Sequence, residues 1–227
     1  MMPIISEKGK IKQLRGTGSG ASYKPWILTR ELNSTGTTAN IIDWKHGRAV
    51  QLLSAGEEMY YYYIRWDDDV LDIREQFPLD LEMTKKIAAQ FGIRHPIGTM
   101  TTDMLVTYPA GRYVAYSVKD KREDVDYESA KTDEDRKRAI RTAEKLFVEK
   151  YYWAEIGIDW KLVFKEDLNT VFIDNIRRSV IYFDEKSVHD DVSKVKHLIA
   201  TKQIAVNMNA PINYQDLIRK YIKQGEE

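Results

Sequence analysis

The sequence predicts a mixed α/β domain followed by a small helical tail. Three observations carry that expectation. Residues 101–119 read as two strands rich in β-branched and aromatic residues, joined by the turn Pro109-Ala110-Gly111-Arg112. Residues 132–156 hold one long helical pattern, with Ile140, Ala143, Phe147, Tyr151 and Ala154 as its apolar stripe. Beyond the strand pattern of residues 160–164, only helical patterns remain.

The other elements follow in order. Residues 1–22 form a basic, glycine-rich stretch, with Lys8, Lys10, Lys12 and Arg15 ahead of Gly16-Thr17-Gly18-Ser19-Gly20, and it reads as a flexible arm. No strand precedes the glycines and no Lys-Ser/Thr closes them, so a nucleotide loop is a weak reading. The arm lies either on a DNA backbone or free in solvent. Residues 40–53 predict a hairpin turning at Lys45-His46-Gly47-Arg48. Ser54-Ala55-Gly56-Glu57 matches a capping box that opens a helix to about Trp66. Val70–Phe77 alternates as a strand, and Met83–Phe91 reads as a short helix. The charged run 120–138 suits a mobile loop. Helices are expected at 167–182, 190–200 and 212–224. The expected partition is an arm over 1–22, a catalytic-sized core over 23–167 and a helical domain over 168–227.

Composition narrows the function. A chain of 227 residues, 43% of them hydrophobic, can bury a real core. Lys+Arg and Asp+Glu both number 35, so the net charge neither supports nor excludes nucleic acid, and a local patch decides. The absence of cysteine excludes disulfides, thiolate zinc sites and a cysteine nucleophile. No apolar run is long enough for a membrane span, and Met1–Arg15 lacks the apolar core of a signal peptide, so the chain reads as cytoplasmic. No histidines pair at i and i+4 and no Gly-x-Ser-x-Gly elbow occurs, which removes helix-borne zinc and serine-hydrolase chemistry.

The hairpin 101–119 carries the chemistry. Asp103 lies on one strand, and Ser117-Val118-Lys119 on its neighbour. Mg²⁺ takes oxygen ligands, commonly one or two carboxylates with water and substrate phosphates. Asp103 can hold such an ion, the Val118 carbonyl can point at it, and Ser117 can support a water. Lys119 shares a strand face with Ser117 and can orient an attacking water. A further ligand is expected from a helix. Glu57 is either that ligand or only the cap of its own helix. Asp103 is otherwise a strand-start residue, and Lys119 a solvated strand end. Glu149 is either a group that orients Lys119 or the partner of Lys145 on the same helix. Glu75 either supports the metal from behind or pairs with an arginine, and Arg74 and Gln76 point the other way. Lys8, Lys10, Lys12, Arg15, Arg48 and Arg74 are the cations available for DNA.

Several ordered strings resemble the TnsA family. They are Tyr23-Lys24-Pro25-Trp26, Gly47-Arg48 leading through Leu52-Leu53-Ser54 to Glu57, and Val70-Leu71-Asp72-Ile73-Arg74-Glu75-Gln76-Phe77-Pro78-Leu79. Ile93-Arg94-His95-Pro96, Thr102-Asp103-Met104-Leu105-Val106 and Glu144-Lys145-Leu146 through Tyr152-Trp153 follow in the family's order. The resemblance covers about residues 22–165 and implies a restriction-endonuclease-like fold. It implies Glu57 as the helix glutamate of the active site, Asp103 and the Val118 carbonyl as metal-binding groups, and Lys119 as the catalytic lysine. Ser117 departs from the glutamine or acid the resemblance leads one to expect. The resemblance further implies a Mg²⁺-dependent endonuclease, with Mn²⁺ able to substitute, that nicks the 5′ ends of a transposon at the nucleoid of a bacterium. A DDE transposase, TnsB, would cut the 3′ ends, and an AAA+ regulator, TnsC, would contact the C-terminal region. The rival readings are a phage or restriction-type nuclease of the same fold acting alone, and a catalytically weak scaffold that binds DNA or the transposase.

Overall fold

The computed structural model describes residues 5–31 and 38–223, so the start of the basic arm and the expected helix end at 224 lie outside the described residues. Residues up to Ile42 together with Arg48–Asp167 form one compact unit. Asp43–Gly47 and the residues from Leu168 onward form a second.

The first unit opens with α1 (Glu7–Lys12), capped by the Ser6 hydroxyl. A hairpin follows, β1 (Ala39–Ile42) against β2 (Ala49–Leu52), with Ile41 opposite Val50. Then come α2 (Ala55–Arg65), β3 (Asp72–Pro78) and α3 (Leu81–Gln90). The site hairpin is β4 (Thr101–Thr107) and β5 (Tyr113–Lys119), and α4 (Asp133–Glu155) leads to β6 (Asp159–Phe164). Ala110 and Gly111 make the β4–β5 turn with φ of 58° and 71°, a left-handed pair that turns the chain within a few residues.

The sheet runs β3-β4-β5-β6. β3–β4 and β4–β5 are antiparallel, while β5 and β6 are parallel. A parallel pair needs a long crossover, and α4 supplies it. Leu105 and Ala115 are register partners, and both join the buried cluster of Ile87, Ala88, Val148, Tyr152 and Trp153. α3 and α4 therefore cover that face. On the other face α2 lies against β5. The result is a mixed α/β fold, a mixed sheet flanked by helices, of the restriction-endonuclease-like kind.

Two expectations change. The stripe expected on α4 is displaced. Its buried residues are Ala139, Leu146, Val148, Glu149, Tyr152 and Trp153, whereas Ile140 is 37% and Phe147 40% exposed. Phe147 and Tyr151 lie against Phe91, with ring centroids 4.9 and 4.8 Å away. The helix is covered on two adjoining faces and buries a carboxylate, so one apolar stripe cannot describe it. The arm, over its described residues, is also held in place. The Arg15 guanidinium is buried and donates twice to Glu31 at 2.7 Å and once to the Trp26 carbonyl at 3.2 Å. The Glu7 carboxylate accepts the Thr99 N–H. These partners lie 16 and 92 residues away in sequence, beyond the reach of any local pattern.

The second unit contains α5 (Thr170–Val180), α6 (Asp191–Ala200) and α7 (Tyr214–Tyr221), begun by the caps Asn169, Asp190 and Asn213. Ile173, Ile176, Val195, Ile199 and Ile218 are buried. The Asn175 amide donates to the carbonyls of Met208 and Ala210, both at 2.9 Å, and pins the segment before α7 to α5. Among the described residues no helix is long and apolar enough to cross a membrane.

Candidate active site

The sheet opens where the acidic and basic residues lie. β4 pairs with β5 from Thr107–Tyr113 only as far as Met104–Tyr116. β5 continues along β6 to Lys119–Phe164. Beyond Met104 the two strands part, and side chains replace the missing ladder. Asp103 Oδ2 accepts the Val118 N–H at 2.7 Å. Lys119 Nζ donates to the Val118 carbonyl at 2.7 Å and lies 3.8 Å from Asp103 Oδ2. Both polar groups of the Val118 backbone thus face the gap, one held by an acid and one by a base.

Glu57 arrives from the first turn of α2. The Ser54 hydroxyl accepts the Glu57 N–H at 3.1 Å, so the cap is real. The Glu57 carboxylate stays within reach of Ser54 but also extends beyond the cap. Its Oε2 accepts the Leu53 N–H at 2.8 Å and the Gln76 amide at 3.0 Å. Gly56 lets this turn approach β5, because a Cβ there would fall 2.8 Å from Asp120 Oδ1 and 3.3 Å from Val118 Cγ1. Burial, and then the charge of Asp103, push the Glu57 pKa up to about 8, opposed by the Leu53 N–H and the Lys119 ammonium. Glu57, Asp103 and Lys119 therefore share one electrostatic site.

Gln76 was expected to point away, and it is the residue that the sequence reading missed. It is buried in β3 at φ +49°, between the register pairs Glu75–Met104 and Phe77–Thr102, and its Oε1 accepts the Thr101 hydroxyl at 3.2 Å. The signal was the adjacent polar pair Glu75-Gln76 between Ile73 and Phe77. Two neighbouring polar residues in a buried strand place one on each face.

Behind the gap lies a closed hydrogen-bond network. Trp160 Nε1 donates to Ser117 Oγ at 3.0 Å, and Ser117 Oγ donates to Glu149 Oε1 at 2.6 Å. Trp153 Nε1 donates to Thr102 Oγ1 at 3.0 Å, and Thr102 Oγ1 donates to the same Glu149 oxygen. An indole can only donate, so each hydroxyl proton must turn toward Glu149. The Ser117 hydroxyl is fully occupied here and buried. Burial, and then Asp103, push the Glu149 pKa up to about 7, opposed by the two hydroxyls. Glu149 makes no ion pair with Lys145 among the described residues; it faces Ser117 and Thr102 across the helix–sheet interface.

A family-wide sequence pattern described as TnsA-like endonuclease N terminal matches residues 67–165, which include Gln76, Asp103, Ser117, Lys119 and Glu149. The chain is also 36% identical, over 172 residues, to the Escherichia coli protein "Transposon Tn7 transposition protein TnsA", an overlap of 74% of this chain. This chain belongs to the TnsA family. It spans 59% of the length of that relative.

In this TnsA-family chain several expected site residues have structural partners instead. Glu75 is fully buried and pairs with Arg48, at 2.8 and 2.5 Å, while also accepting the Gln51 N–H at 3.0 Å. It lies on the strand face away from Gln76, so of its two readings the arginine pair holds. Arg48 is correspondingly committed to Glu75 and to the Ile73 carbonyl at 2.6 Å, and Arg15 to Glu31, so neither is offered to DNA. Arg74 packs over Phe77 and Tyr113 at 5.1 and 5.5 Å. Lys10 lies over the Trp26 ring at 5.4 Å. Lys8 and Lys12 are exposed on α1.

The donor set suits a divalent cation. Among the described residues no three His, Asp or Glu side chains gather as a ready-made metal cluster. Two carboxylates and a carbonyl suffice for an ion that keeps water and substrate oxygens. The Lys119 ammonium already sits against the Val118 carbonyl and near Asp103, a cation between two of the three oxygen groups.

Proposed function

We propose that this chain is the DNA-cutting subunit of a cut-and-paste transposase: a Mg²⁺-dependent endonuclease, active also with Mn²⁺, that nicks the 5′ ends of the element. One observation carries the reading: Glu57, Asp103 and Lys119 come from three elements to the place where β4 and β5 part. Membership of the TnsA family supports the same reaction.

Glu57, Asp103 and the Val118 carbonyl would hold the ion. When bound, it would neutralise charge on the scissile phosphate and make water a better nucleophile. The chain's own residues do the rest. Lys119 orients the attacking water and steadies the negative charge that builds on the phosphate oxygens. Gln76 fixes the rotamer of Glu57 through its amide. Ser117, too short to reach an ion, donates a hydrogen bond to Glu149 and keeps the strand face rigid. Trp153 and Trp160 hold that arrangement from behind.

In this reading TnsB, a DDE transposase, makes the 3′ cuts, and TnsC, an AAA+ regulator, docks on the helical unit from residue 168 onward. Deleting residues 170–227 should then weaken regulator binding and leave the nuclease unit folded. The decisive test is a reconstituted excision reaction. Asp103→Ala and Lys119→Ala should each abolish 5′ nicks while the 3′ cuts persist. Persistent 5′ nicks in both variants would remove the assignment. Mg²⁺ or Mn²⁺ calorimetry separates the rivals. No ion binding would favour a scaffold, and cutting without a transposase would favour a nuclease that acts alone.

A further inference from the structure

Lys145 is the unexplained charge of the site. It projects from α4 into the lining of a cavity of about 350 Å³ that also contains Asp103, Lys119, Thr142 and Glu149. Every other charged group around it has a polar partner. Lys119 lies 3.8 Å from Asp103, Arg141 lies 2.8 Å from Glu144, and Glu149 accepts hydrogen bonds from two hydroxyls. Glu149 is one helical turn from Lys145, the spacing at which such residues normally pair. Its oxygen is turned instead toward Ser117 and Thr102. Among the described residues Lys145 has no carboxylate within ion-pair distance. The side chain is exposed as a whole, yet partial burial holds its pKa below the ordinary lysine value, and the like charges of Arg141 and Lys119 push the same way. The Lys145 ammonium therefore faces the cavity without a carboxylate of its own.

We propose that Lys145 binds a backbone phosphate of the DNA strand that enters the Asp103–Lys119 cavity. The inference rests on the nuclease reading and adds to it a second cation, carried by the helix, opposite Lys119 on the strand. A phosphate diester offers Lys145 the anionic partner that Glu149 withholds, and an ammonium meets it as a point charge without demanding one geometry. A second cleft, of about 620 Å³, continues from Lys119 and Thr142, but Glu123, Asp124 and Asp135 share its lining with Lys121, Lys131 and Arg138, and Arg138 already lies 3.6 Å from Asp135. That mixed lining selects no anion. The smaller cavity, next to the acidic residues of the site, is where the strand is held for cutting.

The test measures binding of a short fluorescent duplex to the full chain by anisotropy across a salt series, with Ca²⁺ present so that no strand is cut. Lys145→Gln should weaken binding about tenfold and lower the slope of log affinity against log salt by about one. Lys145→Arg should keep both. Lys150→Gln, the same charge loss on the exposed side of α4, should change the slope much less. Mn²⁺ affinity of Lys145→Gln, read by calorimetry, should match the parent chain. Equal effects at 145 and 150, an unchanged slope in Lys145→Gln, or no binding by the parent chain would each overturn the proposal. A normal Lys145 effect combined with 5′ nicking by Asp103→Ala would instead overturn the nuclease reading and leave Lys145 a DNA contact.

Discussion

Replacing Glu57 with glutamine should make the metal-free chain less sensitive to alkaline pH. Folding raises the Glu57 pKa from 4.5 to about 8. Between those values the folded chain holds a proton that the unfolded chain has released, so stability falls as pH rises. Integrated from pH 6 to pH 8, the loss from this one group is about 2 kcal/mol. Glutamine cannot ionise, and its carbonyl oxygen can still accept the Leu53 and Gln76 donors. The variant therefore gains on the parent as pH rises, by roughly 4–8 °C in melting temperature for a chain of this size. Glu149 titrates in the same window in both proteins, so the difference between them isolates Glu57. The assay is thermal unfolding followed by circular dichroism in EDTA, in both proteins, at half-unit steps of pH. A gap that stays constant or narrows from pH 6 to pH 8 would refute the claim that Glu57 is buried beside Asp103.

Two further outcomes follow from the buried ion pairs. Arg48→Met leaves Glu75 charged and enclosed, which should cost about 3–5 kcal/mol in urea unfolding, and pairing it with Glu75→Gln should recover most of that. Manganese affinity should survive in the folded double variant, and its loss would return Glu75 to the metal site. Arg15→Ala should lower stability by about 2 kcal/mol while leaving the salt slope of duplex binding intact. A lower slope with unchanged unfolding would instead make Arg15 a DNA contact.

Where the sequence was legible, local chemistry decided the outcome. Ser54 caps α2, the turn Pro109–Arg112 folds β4 onto β5, and the helical patterns beyond residue 165 became α5, α6 and α7. Asp103 and Lys119 meet at the open end of that hairpin, just past its last register pair. The illegible parts are those decided at long range. Gln76 reaches Glu57 through a left-handed backbone that residue type does not announce. Glu149 answers to Thr102 and Ser117, 47 and 32 residues away, and not to Lys145 on its own helix. Arg15 reads as tail until Glu31 is seen to close over it. In each case the polar group was visible in the sequence and its partner was not.

The two indoles behind the gap have an optical consequence. Trp153 and Trp160 each end on a hydroxyl whose proton is directed at one carboxylate oxygen. Any event that neutralises that carboxylate weakens both hydroxyl hydrogen bonds and, through them, alters those of both rings. Ultraviolet emission from these tryptophans should therefore follow the ionisation of the enclosed acid without an added dye, and the chain carries its own gauge of the chamber in which the strand would be cut.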